Sequence, residues 1–455
     1  MQIKGLIRKT ESVCPKCLEP LAAAVIERDG KIFLYKECSL HGRYELLLSN
    51  EPLYYKKLDK FYFMVMNTRK PLLEYELWPT LRCNMNCSMC CFGEDRQTLE
   101  TREPTCEEIE LFMKDSKHNF CILSGGEPTC RKDINKIIRI LKRHNKTVTI
   151  NTNGLKLSDL EYLQELKNAG LDRINLQFDG FHKDIYQMLR NDDLLNKKLA
   201  ILNNLKEIDM PTTINAVIVK NVNDDDLMNL IDFAVKNNFV NGINFFTICY
   251  LGGARDWSMD NYIMPDEIID IIDKKSGQKL SRRDVFLFQK FHLAIKSFLG
   301  QRYCFYNQIY LLVRYKDSYE GIASFLNLER ADPWLERYQA VYKKNKIASM
   351  LYLALATIAM LVNNKVFLIA KEIFLSGVSY FLKTGRYLKN RQFLSVSFST
   401  GCDPYKFDNA IVQNCQNEII GVNRQGELAH LGREGNYCIN LERQLLAERE
   451  QKERI

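Results

Sequence analysis

The sequence has no low-complexity tract, no internal repeat and no apolar run near its start. Its first residues, MQIKGLIRKTESVC, are charged where a secretory signal is apolar, so we expect a cytoplasmic protein. Charge of one sign is also scarce, since 64 Lys and Arg stand against 56 Asp and Glu, a formal net charge of +8. This small excess suits a phosphate-bearing substrate or an anionic membrane surface but predicts neither, and nucleic-acid binding is not expected.

Long hydrophobic runs are rare as well. The exception is 347–364, IASMLYLALATIAMLVNN, which carries no charge and reaches the lower length limit for a membrane-spanning helix, about 18 residues. A second apolar stretch, 366–382, is interrupted by Lys371 and Glu372. These features favour a buried helical hairpin. The alternatives are a surface that meets lipid or an apolar substrate, with peripheral membrane association, and a true membrane span.

Cysteine is abundant, and its spacing near the start is typical of a metal site. A chain without an export signal is expected in a reducing compartment, where clustered cysteines are more often metal ligands than disulfides. The candidate ligands are Cys14, Cys17, Cys38 and His41. An Asp29-Gly30 turn between two apolar runs predicts a hairpin between the ligand pairs. We therefore predict a zinc-ribbon or rubredoxin-like domain over 1–60 that binds Zn²⁺ or a single iron; the alternative is a set of reduced cysteines without metal.

Residues 70–255 alternate between strand and helix patterns, which predicts an α/β fold with a parallel sheet, a partial (β/α)6 barrel. A capping box at Thr105 and Glu108 begins the first helix, and another helix is predicted to begin at Ser158 and end at Gly170. The predicted strands are 75–82, 120–124, 147–152, 173–179, 212–219 and 242–248. Residues at the carboxyl ends of such strands usually perform the chemistry.

The strongest functional signal follows the first predicted strand, where the chain reads Cys83-Asn-Met-Asn-Cys87-Ser-Met-Cys90. Three thiolates at spacings of four and three can hold a soft-metal centre within one loop. Three ligands on a four-iron cluster leave one iron open to a cofactor or substrate. Taken alone, the pattern also suits a zinc site, but its position in a β/α series favours an iron–sulfur cluster.

A second signal ends the second strand, at Ser124-Gly125-Gly126-Glu127-Pro128. Paired glycines allow a ligand to approach the backbone closely, and the Glu127 carboxylate can accept hydrogen bonds from an amine. The alternative is an ordinary turn from strand to helix.

Together the two motifs resemble the radical S-adenosylmethionine (SAM) superfamily over about residues 75–255. The resemblance implies an enzyme whose [4Fe-4S] cluster, on Cys83, Cys87 and Cys90, binds SAM and splits it reductively to a 5′-deoxyadenosyl radical. It also implies that Gly125, Gly126, Glu127 and Pro128 bind SAM, and that an external donor of the ferredoxin or flavodoxin type supplies one electron. Met89 departs from the family pattern, in which this position is usually aromatic.

Further polar residues stand at the ends of strands three and four. Asn153, Gln177 and, less directly, Asp179 are expected to contact SAM, with an ordinary polar loop as the alternative. Cys249 is expected near the active site. We expect Cys91 to be no ligand and Cys106 and Cys121 to be structural.

Residues 256–455 lack the strand–helix alternation and read as a mostly helical, Cys-bearing C-terminal domain that shapes the substrate pocket. Four scattered cysteines are candidate ligands of an auxiliary [4Fe-4S] cluster: Cys304, Cys402, Cys415 and Cys438. The alternative is that they are buried thiols without metal.

The segments SVCPKC, KECSLHG, LQFDGF and DPYKFD (403–408) resemble the archaeal tetraether synthase group, which joins lipid chains at unactivated carbons. That resemblance implies hydrogen abstraction from a lipid or other long apolar chain, followed by C–C bond formation or a related modification. A peptide-modifying radical SAM maturase with an auxiliary cluster is the alternative enzyme. A metal-binding protein without activity is the remaining, non-enzymatic hypothesis.

Overall fold

A computed structural model of the protein describes residues 4–66, 74–92, 102–315, 318–362 and 392–415, and near the end 418–423, 425–433, 436, 437, 439, 440 and 443.

The N-terminal unit is a four-stranded antiparallel sheet, followed by one helix. Its elements are β1 (Leu6–Val13), β2 (Pro20–Arg28), β3 (Lys31–Cys38), β4 (Gly42–Ser49) and α1 (Pro52–Val65). Asp29 and Gly30 connect β2 to β3 with φ angles of 50° and 71°, the left-handed pair that a tight hairpin turn requires. The predicted hairpin between the ligand pairs is thus confirmed.

Six parallel strands in sequence order form the centre of the chain. They are β5 (Glu74–Thr80), β6 (Phe120–Gly125), β7 (Thr147–Thr152), β8 (Arg173–Gln177), β9 (Thr212–Ile218) and β10 (Val240–Thr247). The helices between them are α2 (Cys106–Asp115), α3 (Ile134–Arg143), α4 (Leu160–Ala169), α5 (Lys183–Arg190), α6 (Leu195–Glu207) and α7 (Leu227–Lys236). Every predicted strand is present, which confirms the α/β fold. The carboxyl ends of the strands lie along one edge, here called the mouth.

The caps of two helices test the turn analysis. Thr105 and Glu108 form the predicted capping box at the start of α2. For α4 the predicted first residue was wrong, because Asp159 rather than Ser158 caps the helix by accepting hydrogen bonds from the amides of Glu161 and Tyr162. A carboxylate one position later is an equally good cap.

The C-terminal part is helical at first and then returns to the sheet. Its elements are α8 (Pro265–Ser276), α9 (Arg282–Phe298), β11 (Asn307–Tyr315), β12 (Ser318–Gly321), α10 (Leu328–Val341), α11 (Lys346–Leu361), β13 (Phe393–Ser399), α12 (Asn409–Val412), β14 (Glu418–Val422) and β15 (Leu428–Arg433). The sheet order is β12-β11-β13-β10-β9-β8-β7-β6-β5-β14-β15. Strand β13 pairs in parallel with β10 and β14 pairs in parallel with β5. The C-terminal region therefore adds strands to both edges of the six-stranded sheet.

The apolar run that begins at residue 347 forms most of α11, which pairs with the preceding helix, α10. The Trp334 and Tyr352 rings stack at 6.4 Å, and the amide of Asn327 donates to the Met360 carbonyl at 2.8 Å. Within the described part of the chain, no helix is both long and apolar enough to cross a membrane. The predicted second half of the hairpin, 366–382, lies outside the described residues.

The N-terminal sheet docks on the loop that follows β13. The Arg8 guanidinium pairs with the Asp408 carboxylate at 2.8 Å across almost the whole length of the chain. Lys36 is buried and donates to the carbonyls of Pro404 at 2.5 Å and Tyr405 at 3.0 Å. Its burial lowers the pKa of Lys36 to about 7. The N-terminal unit therefore packs against the segment 403–408.

Candidate active site

The three-cysteine loop leaves β5 at the mouth and is held there by its neighbours. Ser88 donates its hydroxyl to the Met188 carbonyl at 2.8 Å, at the end of α5, and Asn191 donates to the Asn86 carbonyl at 2.9 Å. The amide of Gly253, beyond β10, donates to the Cys90 carbonyl at 2.9 Å. Bonds from two sides of the mouth thus fix the loop's backbone.

The cysteines of this loop lie against apolar side chains. Cys83 and Cys87 border a cluster that includes Met85 and Tyr186, and Cys90 borders the cluster of Trp78. All three are half-buried, whereas Cys91 is exposed. Their sulfurs do not form a group within 4.8 Å of one another. A four-iron cluster separates its cysteine sulfurs more widely than a single ion does, because each binds a different iron. Three thiols in one loop with apolar surroundings therefore fit a [4Fe-4S] cluster.

Glycine is required at position 126, directly after β6, because the backbone that follows β5 passes close to it. A Cβ on Gly126 would lie 2.3 Å from the Leu81 carbonyl oxygen and 2.4 Å from that of Arg82. The Gly126 amide donates to Thr80 at 3.0 Å and the Glu127 amide donates to Arg82 at 2.8 Å. This segment thus fixes the start of the cysteine loop by backbone contact.

Glu127 is buried, and its carboxylate joins the ends of β6 and β7. Oε1 accepts hydrogen bonds from the hydroxyls of Thr129 at 2.6 Å and Thr152 at 2.7 Å. Oε2 accepts a hydrogen bond from the backbone amide of Asn153 at 2.7 Å. These bonds give the carboxylate a structural role. Its contact with the amine of SAM stays a prediction, as do those of Gly125, Gly126 and Pro128.

A buried lysine connects two of the predicted SAM contacts. Lys198 on α6 donates to the Asn153 carbonyl at 2.6 Å and to Gln177 Oε1 at 2.5 Å. Its burial lowers its pKa to about 7. The Asn153 amide group in turn donates to Asn84 Oδ1 at 2.8 Å and lies 3.8 Å from Cys83 Sγ. Lys198 therefore fixes the backbone of Asn153 and the side chain of Gln177, and the Asn153 side chain lies beside the cysteine loop.

Asp179 is buried in an ion pair. Arg190, the last residue of α5, holds it with two hydrogen bonds of 2.8 and 2.9 Å, and the Val217 amide donates to the same carboxylate at 3.1 Å. The guanidinium also acts on the Cys87 thiol, whose pKa burial raises and Arg190 lowers. The predicted SAM contact of Asp179 stays untested, since in the described residues its carboxylate is engaged with Arg190.

Sequence reasoning missed Arg190 and Lys198, although both leave a signal. Arg190 follows the buried Tyr186 by four positions, and Lys198 follows the buried Leu194 by four. A charged residue on the apolar stripe of a helix indicates a buried polar partner.

The N-terminal ligand candidates converge. Cys14 Sγ and Cys38 Sγ each lie 3.5 Å from His41 Nδ1, Cys17 Sγ lies 3.9 Å from Cys38 Sγ, and all four ligand atoms lie within 4.8 Å of one another. The backbone amide of Leu40 is the main cause that lowers the pKa of Cys38 to about 6. A ready thiolate in a three-sulfur, one-imidazole set suits zinc, and the predicted metal site is confirmed.

The C-terminal cysteines form no comparable group among the described residues. Cys304 and Cys402 border the main core, Cys415 is buried, and Cys438 lies outside the described residues. Cys249 follows β10 at the mouth, and a Cβ on Gly401 would lie 2.9 Å from its sulfur. The auxiliary cluster stays a prediction. Cys121 lies buried in β6, and Cys106 donates to Asp133 at 3.2 Å.

Family models recognise both parts of this arrangement. Residues 79–234 match the radical SAM superfamily. The barrel is a radical SAM domain. Residues 6–50 match the HMPTM N-terminal zinc ribbon domain, so a zinc ribbon precedes the radical SAM domain. The expected [4Fe-4S] cluster, SAM and ribbon metal are thereby confirmed as cofactor types.

Two curated relatives with different names are similar to parts of this chain. Over 308 residues the chain is 30% identical to the 7,8-dihydro-6-hydroxymethylpterin dimethyltransferase of Methanocaldococcus jannaschii, covering 61% of each chain. It is 33% identical over 174 residues to a probable GTP 3′,8-cyclase of Pyrococcus abyssi, covering 38% of this chain and 56% of the relative. The chain thus spans less than two thirds of the relatives it matches.

Two solved structures are similar to parts of this chain at low identity and low TM-score. Streptococcus suis SuiB bound to S-adenosylmethionine gives a TM-score of 0.38 at 16% identity, over 45% of this chain and 47% of that chain. Native anSMEcpe with bound AdoMet and Kp18Cys peptide gives a TM-score of 0.39 at 18% identity, over 51% of this chain and 67% of that chain.

Proposed function

We propose that this protein is an enzyme that splits SAM reductively at Cys83, Cys87 and Cys90 and removes a hydrogen atom from an organic substrate. The observation that carries the proposal is the three-cysteine loop at the mouth of a parallel sheet, within the segment that matches the superfamily. A [4Fe-4S] cluster held by these three cysteines would supply the electron that divides SAM into methionine and a 5′-deoxyadenosyl radical. A hydrogen atom taken from the substrate would convert that radical to 5′-deoxyadenosine, the product that the experiment below detects.

The protein's own contribution is to hold the loop and the cofactor in place. Burial raises the pKa of the Cys87 thiol, and the Arg190 cation beside it offsets part of that rise. The Asn153 side chain donates to Asn84 of the cysteine loop, and Lys198 and Asp179 hold the amide of Gln177. Both side chains stand at strand ends at the mouth, where we expect the carboxylate and ribose of SAM. The electron comes from an external carrier of the ferredoxin or flavodoxin type.

For the substrate, we propose a lipid or another long apolar chain. The support is α11, which carries no charge between Ile347 and Leu361 and leaves much of its apolar surface exposed. Hydrogen removal from such a chain would prepare C–C bond formation or a related modification, and membrane-surface association would give access to it.

A pterin is the second candidate, because the Methanocaldococcus relative is named for a pterin and matches over 308 residues. A peptide substrate remains the third hypothesis. Anaerobically purified enzyme can be extracted with organic solvent and analysed by mass spectrometry: bound lipid favours the first candidate, and a bound pterin favours the second.

The chemistry itself is tested on anaerobically reconstituted protein. We expect four irons at the barrel site and 5′-deoxyadenosine after addition of dithionite and SAM. The triple variant Cys83→Ala, Cys87→Ala, Cys90→Ala should abolish the product. Cys91→Ala is the matched control, because that exposed thiol adjoins the loop yet is not a predicted ligand. A protein that binds only zinc, or a triple variant that still forms the nucleoside, would contradict the proposal.

A further inference from the structure

Helix α11 is apolar on every side but buried on only one. Its buried stripe consists of Ser349, Leu353, Ala356 and Met360. The opposite stripe contains Ile347, Met350, Leu351, Ile358 and Leu361, with Ile347 81% and Ile358 60% exposed. A surface helix of a globular protein normally turns polar residues outward. An exposed apolar stripe of this length is typical of an interaction site.

The apolar surface continues onto the neighbouring helix α9. The Tyr342 hydroxyl donates to the Ser297 carbonyl at 2.8 Å, which ties the approach to α11 to the end of α9. The two residues that follow, Phe298 and Leu299, are 45% and 58% exposed. Apolar side chains are thus also exposed at the end of α9, close to the residues that lead into α11.

A group of lysines borders the same patch. Lys343, Lys344 and Lys346 are all exposed at the start of α11, and none forms an ion pair with another described residue. The acidic residues of α10 nearest in sequence, Asp332 and Glu336, are both paired with the buried Lys290. Lys343 donates to the Phe63 carbonyl at 3.5 Å, a neutral partner that leaves its charge in place, so the three lysines present positive charge next to apolar side chains. We call this combined surface of the lysines with the apolar stripe of α11 the basic-apolar face.

We propose that the basic-apolar face is a docking surface for an anionic membrane. Apolar side chains on one helix face enter the boundary between headgroups and acyl chains, and lysines at its border attract anionic headgroups. The three lysines supply the charge complementarity that a second copy of the same face lacks, because two copies would repel each other. The inference deepens the proposed lipid substrate by naming how the enzyme reaches it, yet it does not depend on SAM cleavage.

The test uses full-length reconstituted protein, sedimented with vesicles, without SAM or reductant. We expect binding to vesicles of one part phosphatidylglycerol and two parts phosphatidylcholine, and much weaker binding to phosphatidylcholine alone. Raising the salt concentration should weaken binding, because the lysine contribution is screened.

Two double variants separate the components of the face. Lys343→Glu with Lys344→Glu should lower the partition coefficient at least about 25-fold, since each lysine near an anionic surface contributes roughly fivefold. Ile347→Glu with Leu351→Glu should lower it at least about tenfold, because buried apolar area is lost. The matched controls are Lys197→Glu with Lys274→Glu, two lysines exposed elsewhere, and Leu111→Glu, a leucine of α2 that is 64% exposed. Both controls should bind as the unchanged protein does.

Three outcomes would overturn the proposal. The first is no binding of the unchanged protein to anionic vesicles, which is also expected if another part of the chain covers the face. The second is equal loss in variants and controls. The third is a dimer in sedimentation velocity that Ile347→Glu with Leu351→Glu converts to monomer. Formation of 5′-deoxyadenosine by the same preparations distinguishes failure of docking from failure of the proposed chemistry.

Discussion

The ion pair between Asp179 and Arg190 gives the sharpest prediction about stability at the active site. The Asp179 side chain is fully buried and that of Arg190 is 9% exposed, and two hydrogen bonds of 2.8 and 2.9 Å join them. Removal of one partner leaves the other charge buried without compensation, which costs about 3–5 kcal/mol. We therefore expect Asp179→Leu to lower the free energy of unfolding by about that amount.

The assay is the urea midpoint of the anaerobically reconstituted protein, followed by fluorescence. The exposed pair Lys136 and Glu107 is the control, since its side chains are 59% and 78% exposed and Glu107→Leu should cost less than about 1 kcal/mol. The double variant Asp179→Leu, Arg190→Met should be more stable than Asp179→Leu alone, because no unpaired charge remains. A loss below about 1 kcal/mol in Asp179→Leu, or strict additivity in the double variant, would refute this reasoning.

The remaining predictions concern a glycine, a lysine and a metal. Gly126→Ala should destabilise the protein by about 1–3 kcal/mol and lower its iron content, because the new Cβ meets the Leu81 carbonyl; unchanged iron content in a colorimetric assay would contradict this. Lys198 has a folded-state pKa of about 7, below its unfolded value, so the unfolded chain binds the extra proton. The free energy of unfolding of the unchanged protein, relative to that of Lys198→Met, should therefore rise by up to about 1.4 kcal/mol per pH unit between roughly pH 7 and 10. A difference in urea midpoints that does not change with pH would be evidence against this prediction. Cys17→Ser should remove the ribbon metal and speed hydrogen exchange in 4–50 while the barrel iron remains; parallel loss of both metals would argue that the two sites are coupled.

Much of the barrel could be predicted because its signals are local. Each of the six strands is a short apolar run next to an amphipathic helix, and the Cys83 loop is identified by its cysteine spacing together with its position after the first strand. The zinc ribbon was equally accessible, since Asp29-Gly30 fixes the turn that brings its ligand pairs together.

What escaped prediction depends on contacts between distant parts of the chain. Strand β13 pairs with β10 and strand β14 pairs with β5, but their short sequences do not indicate which strands they pair with. The roles of Arg190 and Lys198 likewise arise only when helices pack on the sheet. In the sequence Asp179 and Glu127 are candidate SAM contacts in loops, yet both are buried. Asp179 pairs with Arg190 at the end of α5, and Glu127 accepts hydrogen bonds from the end of β7.

The order of the sheet has a consequence for synthesis on the ribosome. Strand β5 leads into the cysteine loop and can pair with its outer neighbour β14 only after residues 418–422 have been synthesised. Likewise, Arg8 can form its ion pair only after Asp408 has been synthesised. Until then β5 is an exposed strand edge, and the segment against which the ribbon packs is missing. The nascent barrel therefore keeps an open strand edge beside its cysteine loop until the last strands of the chain have been made.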